Sequence, residues 1–213
     1  DDPDTLTEIT TYHKRHGELP FRYDGDNWPY DTVCERQKRR GVVHCQYLTP
    51  DATAAEMASL ARQYADGWKH VLDACCGTGQ ITKELLKRGF EVSAFDIDIS
   101  MTELHQYLYP QCYATIADFR TLDGMQWPLV VSNPPFDREI AAEFIDWLVR
   151  SLIPGGRAVL LLPKGYVDKE RPKALAGNLS RLKILHRSAV TEKFVHAKGS
   201  FEIVVVEKIS INQ

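Results

Sequence analysis

The residues with the clearest chemical potential are Asn133, Pro134, Pro135 and Phe136, which follow the apolar run at 129–132. An asparagine oxygen and a proline carbonyl are both hydrogen-bond acceptors, and each proline fixes its own φ and restricts the residue before it. The segment therefore predicts a stiff pair of acceptors for a planar amino group, with an aromatic ring placed to stack on its carrier. The alternative is an ordinary exit from a strand, since Asn-Pro is common in turns.

A second candidate site lies at residues 71–82, where an apolar run, a glycine turn and a helical pattern follow one another. Gly77 and Gly79 allow the backbone to approach a ligand closely, and the N-terminus of the following helix would face that ligand. The third glycine of the dinucleotide fingerprint is missing, and no Gly-Lys-Ser/Thr follows as in a P-loop. The loop therefore predicts ligand binding without identifying the ligand.

Acidic residues close the next two strand-like runs. Asp96 follows the glycine loop by about 20 residues, a spacing that suits a ribose diol, and Ile97 is placed to cover an adenine face. Asp118, before Phe119, offers a carboxylate to an adenine amino group. Capping a helix is the usual role of Asp after a strand. Acids at three successive strand ends, the first being Asp73, instead favour one ligand crevice.

The elements that must position these residues alternate between strand and helix patterns. Thr49-Pro50 predicts a helix start with a hydroxyl cap, and that helix should run to about residue 66. The predicted strands are 70–74, 91–95, 111–115, 129–132, 157–162, 181–190 and 200–209, and the predicted helices that follow are 80–88, 100–108 and 138–151. The pattern predicts an α/β fold, a Rossmann-like doubly wound, mostly parallel seven-stranded sheet with an antiparallel C-terminal hairpin strand.

Length and composition bound the remaining possibilities. The 213 residues suffice for one domain, and we expect residues 1–45 to form an N-terminal arm or cap on a single domain at 46–213. The five cysteines are odd in number, which implies no disulfide framework and predicts a reducing cytoplasm. The longest apolar run, at 158–162, is too short for a membrane span. Cys34, His44 and Cys45 lack zinc spacing, so no metal is expected.

The charge is unevenly distributed. Residues 164–198 hold nine Lys and Arg against three acidic residues, a net of +6, and the net charge of −3 then leaves −9 on the other 178 residues. A basic segment on an acidic body is typical of proteins that bind a polyanion. The alternative is an ordinary solvated surface.

Together these features resemble the class I S-adenosylmethionine-dependent methyltransferases. Within that class they resemble the gamma-type N6-adenine methyltransferases, which include small ribosomal-RNA adenine methyltransferases. The glycine motif of the family matches residues 73–79, its catalytic motif matches 133–136, and its methionine-binding element matches 46–50. The resemblance covers roughly residues 44–207. The cofactor contacts that it implies are Tyr47, Thr49, Asp73, Cys75, Gly77, Gly79, Asp96, Ile97, Asp118 and Phe119.

The resemblance also implies a reaction, the transfer of a methyl group from S-adenosylmethionine to the N6 amino group of adenine in DNA or RNA. Asn133 Oδ1 and the Pro134 carbonyl would accept the two amine hydrogens, while Phe136 stacks on the base. Further substrate contacts would be Lys164 and Tyr166 after the fifth strand, and Phe194, His196 and Lys198 in the tail. The tail resembles a Phe-x-His-Lys segment with Ala197 inserted; its alternative is a hairpin loop with a core Phe.

Two other functions stay open. Protein-glutamine methyltransferases that modify release factors share the Asn-Pro-Pro-aromatic motif, commonly with Tyr, whereas Phe136 and the basic tail favour nucleic acid. A non-catalytic binding module that kept the fold is the third possibility. Only 77 residues follow the catalytic motif, which leaves no room for a target-recognition domain. A partner protein that supplies recognition is therefore a further expectation, whereas a membrane partner is not expected.

Overall fold

The structure, a computed structural model, describes residues 14–15, 47–168, 178–192, 194 and 199–210. The expected N-terminal arm therefore falls outside the described residues except for Lys14 and Arg15, and its division from a domain at 46–213 stays a prediction. No helix within the described ranges is both long and apolar enough to cross a bilayer.

Seven strands and four α-helices make up the described fold, together with one 3-10 turn at Phe119–Thr121. The strands are β1 (His70–Ala74), β2 (Glu91–Asp96), β3 (Tyr113–Ile116), β4 (Trp127–Ser132), β5 (Leu152–Pro163), β6 (Leu182–Ala189) and β7 (Phe201–Lys208). The helices are α1 (Asp51–Gln63), α2 (Gln80–Lys87), α3 (Ile99–Leu108) and α4 (Arg138–Ser151).

The strands form a single sheet in the order β3-β2-β1-β4-β5-β7-β6. The first five strands in the chain pair in parallel, and β7 pairs antiparallel with both β5 and β6. This confirms the predicted mostly parallel seven-stranded sheet and its antiparallel C-terminal hairpin. The strand order reverses between β1 and β4, and in such sheets the ligand crevice lies at this switch point.

Two hydrophobic clusters flank the sheet, because successive residues of a strand point to opposite faces. Val71 belongs to the cluster that holds α1 and α2 residues such as Met57 and Leu85. The next residue, Leu72, belongs to the cluster that holds the α4 residues Phe144 and Trp147. Helices therefore cover both faces, as a doubly wound sheet requires.

Two local predictions fail. α1 begins at Asp51 with Pro50 as its N-cap, and the side chain of Pro50 accepts no hydrogen bond from the first N–H groups of the helix. The Thr49 hydroxyl, predicted as the cap, instead accepts a hydrogen bond from the Asn133 amide. β5 begins at Leu152 rather than 157, directly after α4. Its pairing with β4 shifts register between Trp127 and Leu129, which accommodates the glycines at 155 and 156.

Candidate active site

A cleft opens beyond the carboxyl ends of the first four strands. Its walls come from the segment before α1, from the glycine loop after β1, and from the ends of β2, β3 and β4. The lining residues are Tyr47, Leu48, Thr49, Cys75, Cys76, Gly77, Gln80, Ile81, Phe95, Asp96, Ile97, Met101, Ala117, Asp118, Phe119, Arg120, Asn133, Pro134, Pro135 and Ile140.

Strand register brings the glycine loop beside the Asn-Pro-Pro segment. Ala74, the last residue of β1, lies opposite Ser132, the last residue of β4. The Ser132 hydroxyl donates to the Ala74 carbonyl at 2.7 Å, which ties the two strand ends together. On the other side of β1, Ala74 lies opposite Phe95, so Asp96 leaves its strand next to the loop.

The carboxylate of Asp96 shapes the glycine loop. Its Oδ2 accepts from the Gly77 N–H and its Oδ1 from the Asp98 N–H, both at 2.9 Å. Asp96 is 6% exposed and lines the cleft. Gly77 has φ +53°, and no atom lies within 4 Å of a Cβ built there, so the loop offers open space on that side. Both residues therefore lie where the sequence predicts a cofactor contact.

Gly79 has a packing role that the sequence did not predict, and it is not among the cleft residues. A Cβ at this position would lie 2.4 Å from Tyr109 Cε2 and 2.9 Å from His105 Cδ2, and its φ is +88°. Glycine is therefore required because aromatic rings at the end of α3 press on the start of α2. This packing explains the glycine at position 79, and its predicted contact with a cofactor stays a prediction.

Asp73 is also absent from the cleft wall and heads a buried polar chain. The Thr82 hydroxyl donates to Asp73 Oδ2 at 2.6 Å and lies 2.9 Å from His105 Nε2. Burial raises the pKa of Asp73 to about 7 and lowers that of His105 to about 4. Asp73 Oδ1 and His105 Nδ1 have no hydrogen-bond partner in the described part of the chain. The hydrogen-bonded series of Asp73, Thr82 and His105 supports the glycine loop on the side away from the cleft. Of these three residues, only Asp73 was predicted from the sequence as a site residue.

Asp118 has the capping role that the sequence left open, whereas its predicted contact with an adenine amino group stays a prediction. It lines the cleft, and it also caps the 3-10 turn, where its Oδ1 accepts from the Arg120 N–H. The Arg120 side chain donates to both carboxylate oxygens, which holds the pKa of Asp118 below its usual value. Phe119 is buried with its ring edge-on to Phe144 at 5.4 Å. Arg120 is a cleft residue that motif reasoning missed, although it follows Asp118 by only two positions.

The remaining predicted cofactor positions also line the cleft. Ile97 is 40% exposed there, as expected of an apolar side chain that covers a flat ligand. Cys75 has φ +58°, an uncommon conformation for a residue with a Cβ. Burial raises the pKa of the Cys75 thiol well above its usual value, so the thiol stays protonated.

The Asn133 side chain is held in one orientation by the segment before α1. Its Nδ2 donates to the Tyr47 carbonyl at 2.9 Å and to Thr49 Oγ1 at 3.0 Å. Both amide hydrogens are thereby used. Its Oδ1 is buried and has no hydrogen-bond partner within the described residues. A buried acceptor without a partner is costly, and such groups call for an explanation.

An aromatic cluster surrounds Phe136. The Tyr47 ring stacks on the Phe136 ring, with 5.2 Å between the ring centroids and an interplanar angle of 20°. The centroid of the Phe201 ring lies 4.7 Å from that of Phe136, and the two planes are tilted by 32°. Phe194 meets Phe136 edge-on, at 6.1 Å and 80°, and is 7% exposed within the core. Two parallel walls for a base are therefore absent from this described conformation. Phe194 is therefore a buried residue of the aromatic cluster in this conformation, and its predicted role as one side of a base sandwich stays a prediction.

Neither Lys164 nor Tyr166, the other described residues predicted to contact the substrate, lines the cleft. Lys164 is exposed, and its N–H donates to the Ser200 carbonyl. Tyr166 is half-buried against the α4 face of the sheet. His196 and Lys198 lie outside the described residues, and their roles stay predictions. Among the described residues, no group of three or more His, Cys, Asp or Glu is arranged to hold a metal ion.

Comparison with known proteins agrees with this geometry. Residues 71–156 match the family model of a methyltransferase domain. No curated protein matches the chain in sequence. One similar solved structure is a candidate RNA methyltransferase from Pyrococcus horikoshii, with 18% identity over 78% of this chain and 88% of that one and a TM-score of 0.62. Another is the 23S rRNA methyltransferase ErmE, with 18% identity over 76% and 70% and a TM-score of 0.59.

A third similar structure is a candidate class I S-adenosylmethionine-dependent methyltransferase from Listeria monocytogenes. Its identity is 18% over 87% of this chain and 68% of that one, with a TM-score of 0.65. The chain therefore has the class I methyltransferase fold. The family match and the fold imply S-adenosylmethionine as the cofactor, and the cleft residues 75–77, 96–97 and 117–119 fit its expected position.

Proposed function

We propose that this protein methylates the N6 amino group of adenine in a nucleic acid, with S-adenosylmethionine as methyl donor. The observation that carries the proposal is the asymmetry of Asn133. Its amide hydrogens are both held by the protein, while its oxygen is left without a partner among the described residues. An amine that donates to this oxygen would remove the cost of the buried acceptor.

The chemistry requires two acceptors rather than a strong base. The lone pair of an exocyclic adenine amine is delocalised into the ring, which makes the nitrogen a poor nucleophile. Asn133 Oδ1 and the Pro134 carbonyl accept its two hydrogens and favour a pyramidal nitrogen. Positive charge then develops on the amine, and fixed acceptor dipoles stabilise that charge.

The donor supplies an electrophilic methyl group on a sulfonium. The new C–N bond forms as the C–S bond breaks, its electron pair stays on sulfur, and the amine loses its extra proton afterwards. The protein's share is positioning: residues 75–77 and 96–97 hold the donor, and Asn133 fixes the amine in line with the methyl group. Tyr47 covers Phe136 in the described conformation, so a base that stacks on Phe136 takes the place of the Tyr47 ring.

Two observations support nucleic acid over a protein glutamine. The segment 164–198 has a net charge of +6, and the motif carries Phe where glutamine methyltransferases commonly have Tyr. RNA is the first polymer to test, because two of the similar structures are named as RNA methyltransferases.

The test is transfer of a tritiated methyl group from S-adenosylmethionine onto total RNA, genomic DNA and a purified release factor. Digestion to nucleosides and chromatography then identify the product. We expect label in N6-methyladenosine or its deoxy form. Label only in the release factor would favour glutamine methylation, and donor binding with no transfer to any of the three would favour a binding module.

A further inference from the structure

The N-terminus of α1 lacks a cap from its own sequence. The N-cap residue is Pro50, which has no side-chain acceptor, and Thr49 is occupied by Asn133. The first N–H groups of a helix have no partner within the helix and need an acceptor from elsewhere. In α1 the third of these belongs to Thr53, which is 3% exposed and therefore shielded from water.

Glu192 supplies the missing acceptor from the loop between β6 and β7. Its Oε2 accepts from the Thr53 N–H and from the Thr53 hydroxyl, both at 2.7 Å, across 139 positions of sequence. A carboxylate at a helix N-terminus is also favoured by the helix dipole. The two hydrogen bonds make Glu192 the cap of a helix from a distant part of the chain.

This cap joins two parts of the candidate active site. Two residues after Glu192, Phe194 packs edge-on against Phe136 of the catalytic segment. Four residues before Thr53, Thr49 holds the amide of Asn133. The loop therefore contacts the catalytic segment directly through Phe194. Through Glu192 it is hydrogen-bonded to the start of α1, next to the segment that orients Asn133.

We propose that Glu192 is a positioning residue for the methyl transfer described above. By capping α1 it docks the β6–β7 loop and fixes Asn133 and Phe136 relative to one another. This inference rests on the proposed function for its catalytic part, whereas the clamp itself is a property of the protein without substrate.

Three variants test it. Glu192→Ala removes both hydrogen bonds. Glu192→Gln keeps an oxygen that accepts from the same two donors. Ser188→Ala is the matched control, because the Ser188 hydroxyl donates to Glu56 in an exposed hydrogen bond that also links β6 to α1 but involves neither Glu192 nor the N-terminus of the helix. Each variant is measured for exchange of the Thr53 amide by NMR, donor affinity by calorimetry, and kcat and KM for transfer to the nucleic acid.

We expect Glu192→Ala to speed exchange of the Thr53 amide by about tenfold, the cost of one lost cap. The kcat for transfer should fall by about tenfold as well, while donor affinity stays within about threefold. Glu192→Gln should restore most of both, and Ser188→Ala should change neither.

Wild-type kcat in Glu192→Ala, an equal loss in Ser188→Ala, or no rescue by Glu192→Gln would each overturn the positioning role. Unchanged Thr53 exchange in Glu192→Ala would overturn the clamp itself. Absence of adenine methylation by the wild-type protein is a separate result: it contradicts the proposed function, whereas the exchange measurement still decides whether the clamp exists.

Discussion

Two regions of the cleft differ in how their polar groups are satisfied. In the cofactor loops, residues 75–79, 96–98 and 117–120, the carboxylates accept from the protein itself: Asp96 from two backbone amides, and Asp118 from Arg120. In the acceptor segment, residues 133–136, the Asn133 oxygen has no partner within the described residues. The carboxylates of the cofactor loops are thus satisfied without a ligand, whereas the Asn133 oxygen is not, and the proposed methyl transfer rests on that difference.

The largest expected effect follows from that incomplete acceptor. Asn133→Ala removes the oxygen that would polarise the amine, and removal of one such group typically costs about 10²–10³-fold in kcat. Affinity for the methyl donor should stay within about threefold, since the proposal assigns Asn133 to the amine and not to the methyl donor. Transfer assays and calorimetry on the same preparation separate the two effects.

The matched control for that experiment is Asn178→Ala, which removes an amide that donates to Asp146 away from the cleft. We expect its kcat to be unchanged. Normal turnover by Asn133→Ala would contradict the difference between the two regions.

The next effect concerns stability within the cofactor loops. Gly79→Ala places a Cβ 2.4 Å from the Tyr109 ring at a positive φ, and overpacking with backbone strain should cost about 3 kcal/mol. Gly77→Ala meets no neighbour and should cost only the strain, about 1 kcal/mol, but it should weaken donor binding because Gly77 lines the cleft. Urea unfolding and calorimetry distinguish them. Equal stability losses in the two variants would contradict the packing role of Gly79.

These two glycines also mark the limit of sequence analysis. The alternation of strand and helix patterns predicts the sheet, its hairpin and the cleft position, because burial and periodicity are local properties. The role of Gly79 depends on Tyr109, and the cap of α1 depends on Glu192, which is 139 positions away from its partner. Contacts between distant segments have no local pattern, so Thr49-Pro50 suggested a hydroxyl cap that the fold uses for Asn133 instead.

A smaller effect concerns the pH dependence of stability, to which the buried Asp73 and His105 contribute in opposite directions. Burial raises the pKa of Asp73 from 3.8 to about 7, so the folded protein keeps a proton that the unfolded chain releases. The stability that this proton confers is complete below pH 3.8 and lost as the pH rises to 7. Burial lowers the pKa of His105 from 6.5 to about 4, so its contribution is instead lost as the pH falls from 6.5 to 4.

In the wild type, the contributions of Asp73 and His105 to the pH dependence of the free energy of unfolding offset one another between pH 4 and 6.5. In Asp73→Asn only the histidine remains, and stability should rise with pH across that window. In His105→Gln only the acid remains, and stability should fall with pH up to about 7. Each change amounts to about 2–3 kcal/mol. Urea unfolding at half-unit pH steps measures both, and parallel pH profiles of the two variants would contradict opposite titration.

The smallest effect is expected at Asp118, whose carboxylate is already held by Arg120. An asparagine oxygen can still cap the 3-10 turn, and a partly exposed ion pair contributes about 0–1 kcal/mol. Asp118→Asn should therefore change donor affinity by less than about threefold. Asp96→Asn is the matched control, because it replaces one of the two oxygens that accept from the Gly77 and Asp98 N–H groups with an NH₂ group. This change should weaken binding of the methyl donor about tenfold. A loss of binding in Asp118→Asn as large as that in Asp96→Asn would mean that the methyl donor displaces Arg120 and binds the Asp118 carboxylate directly. The carboxylates of the cofactor loops would then not be satisfied without a ligand.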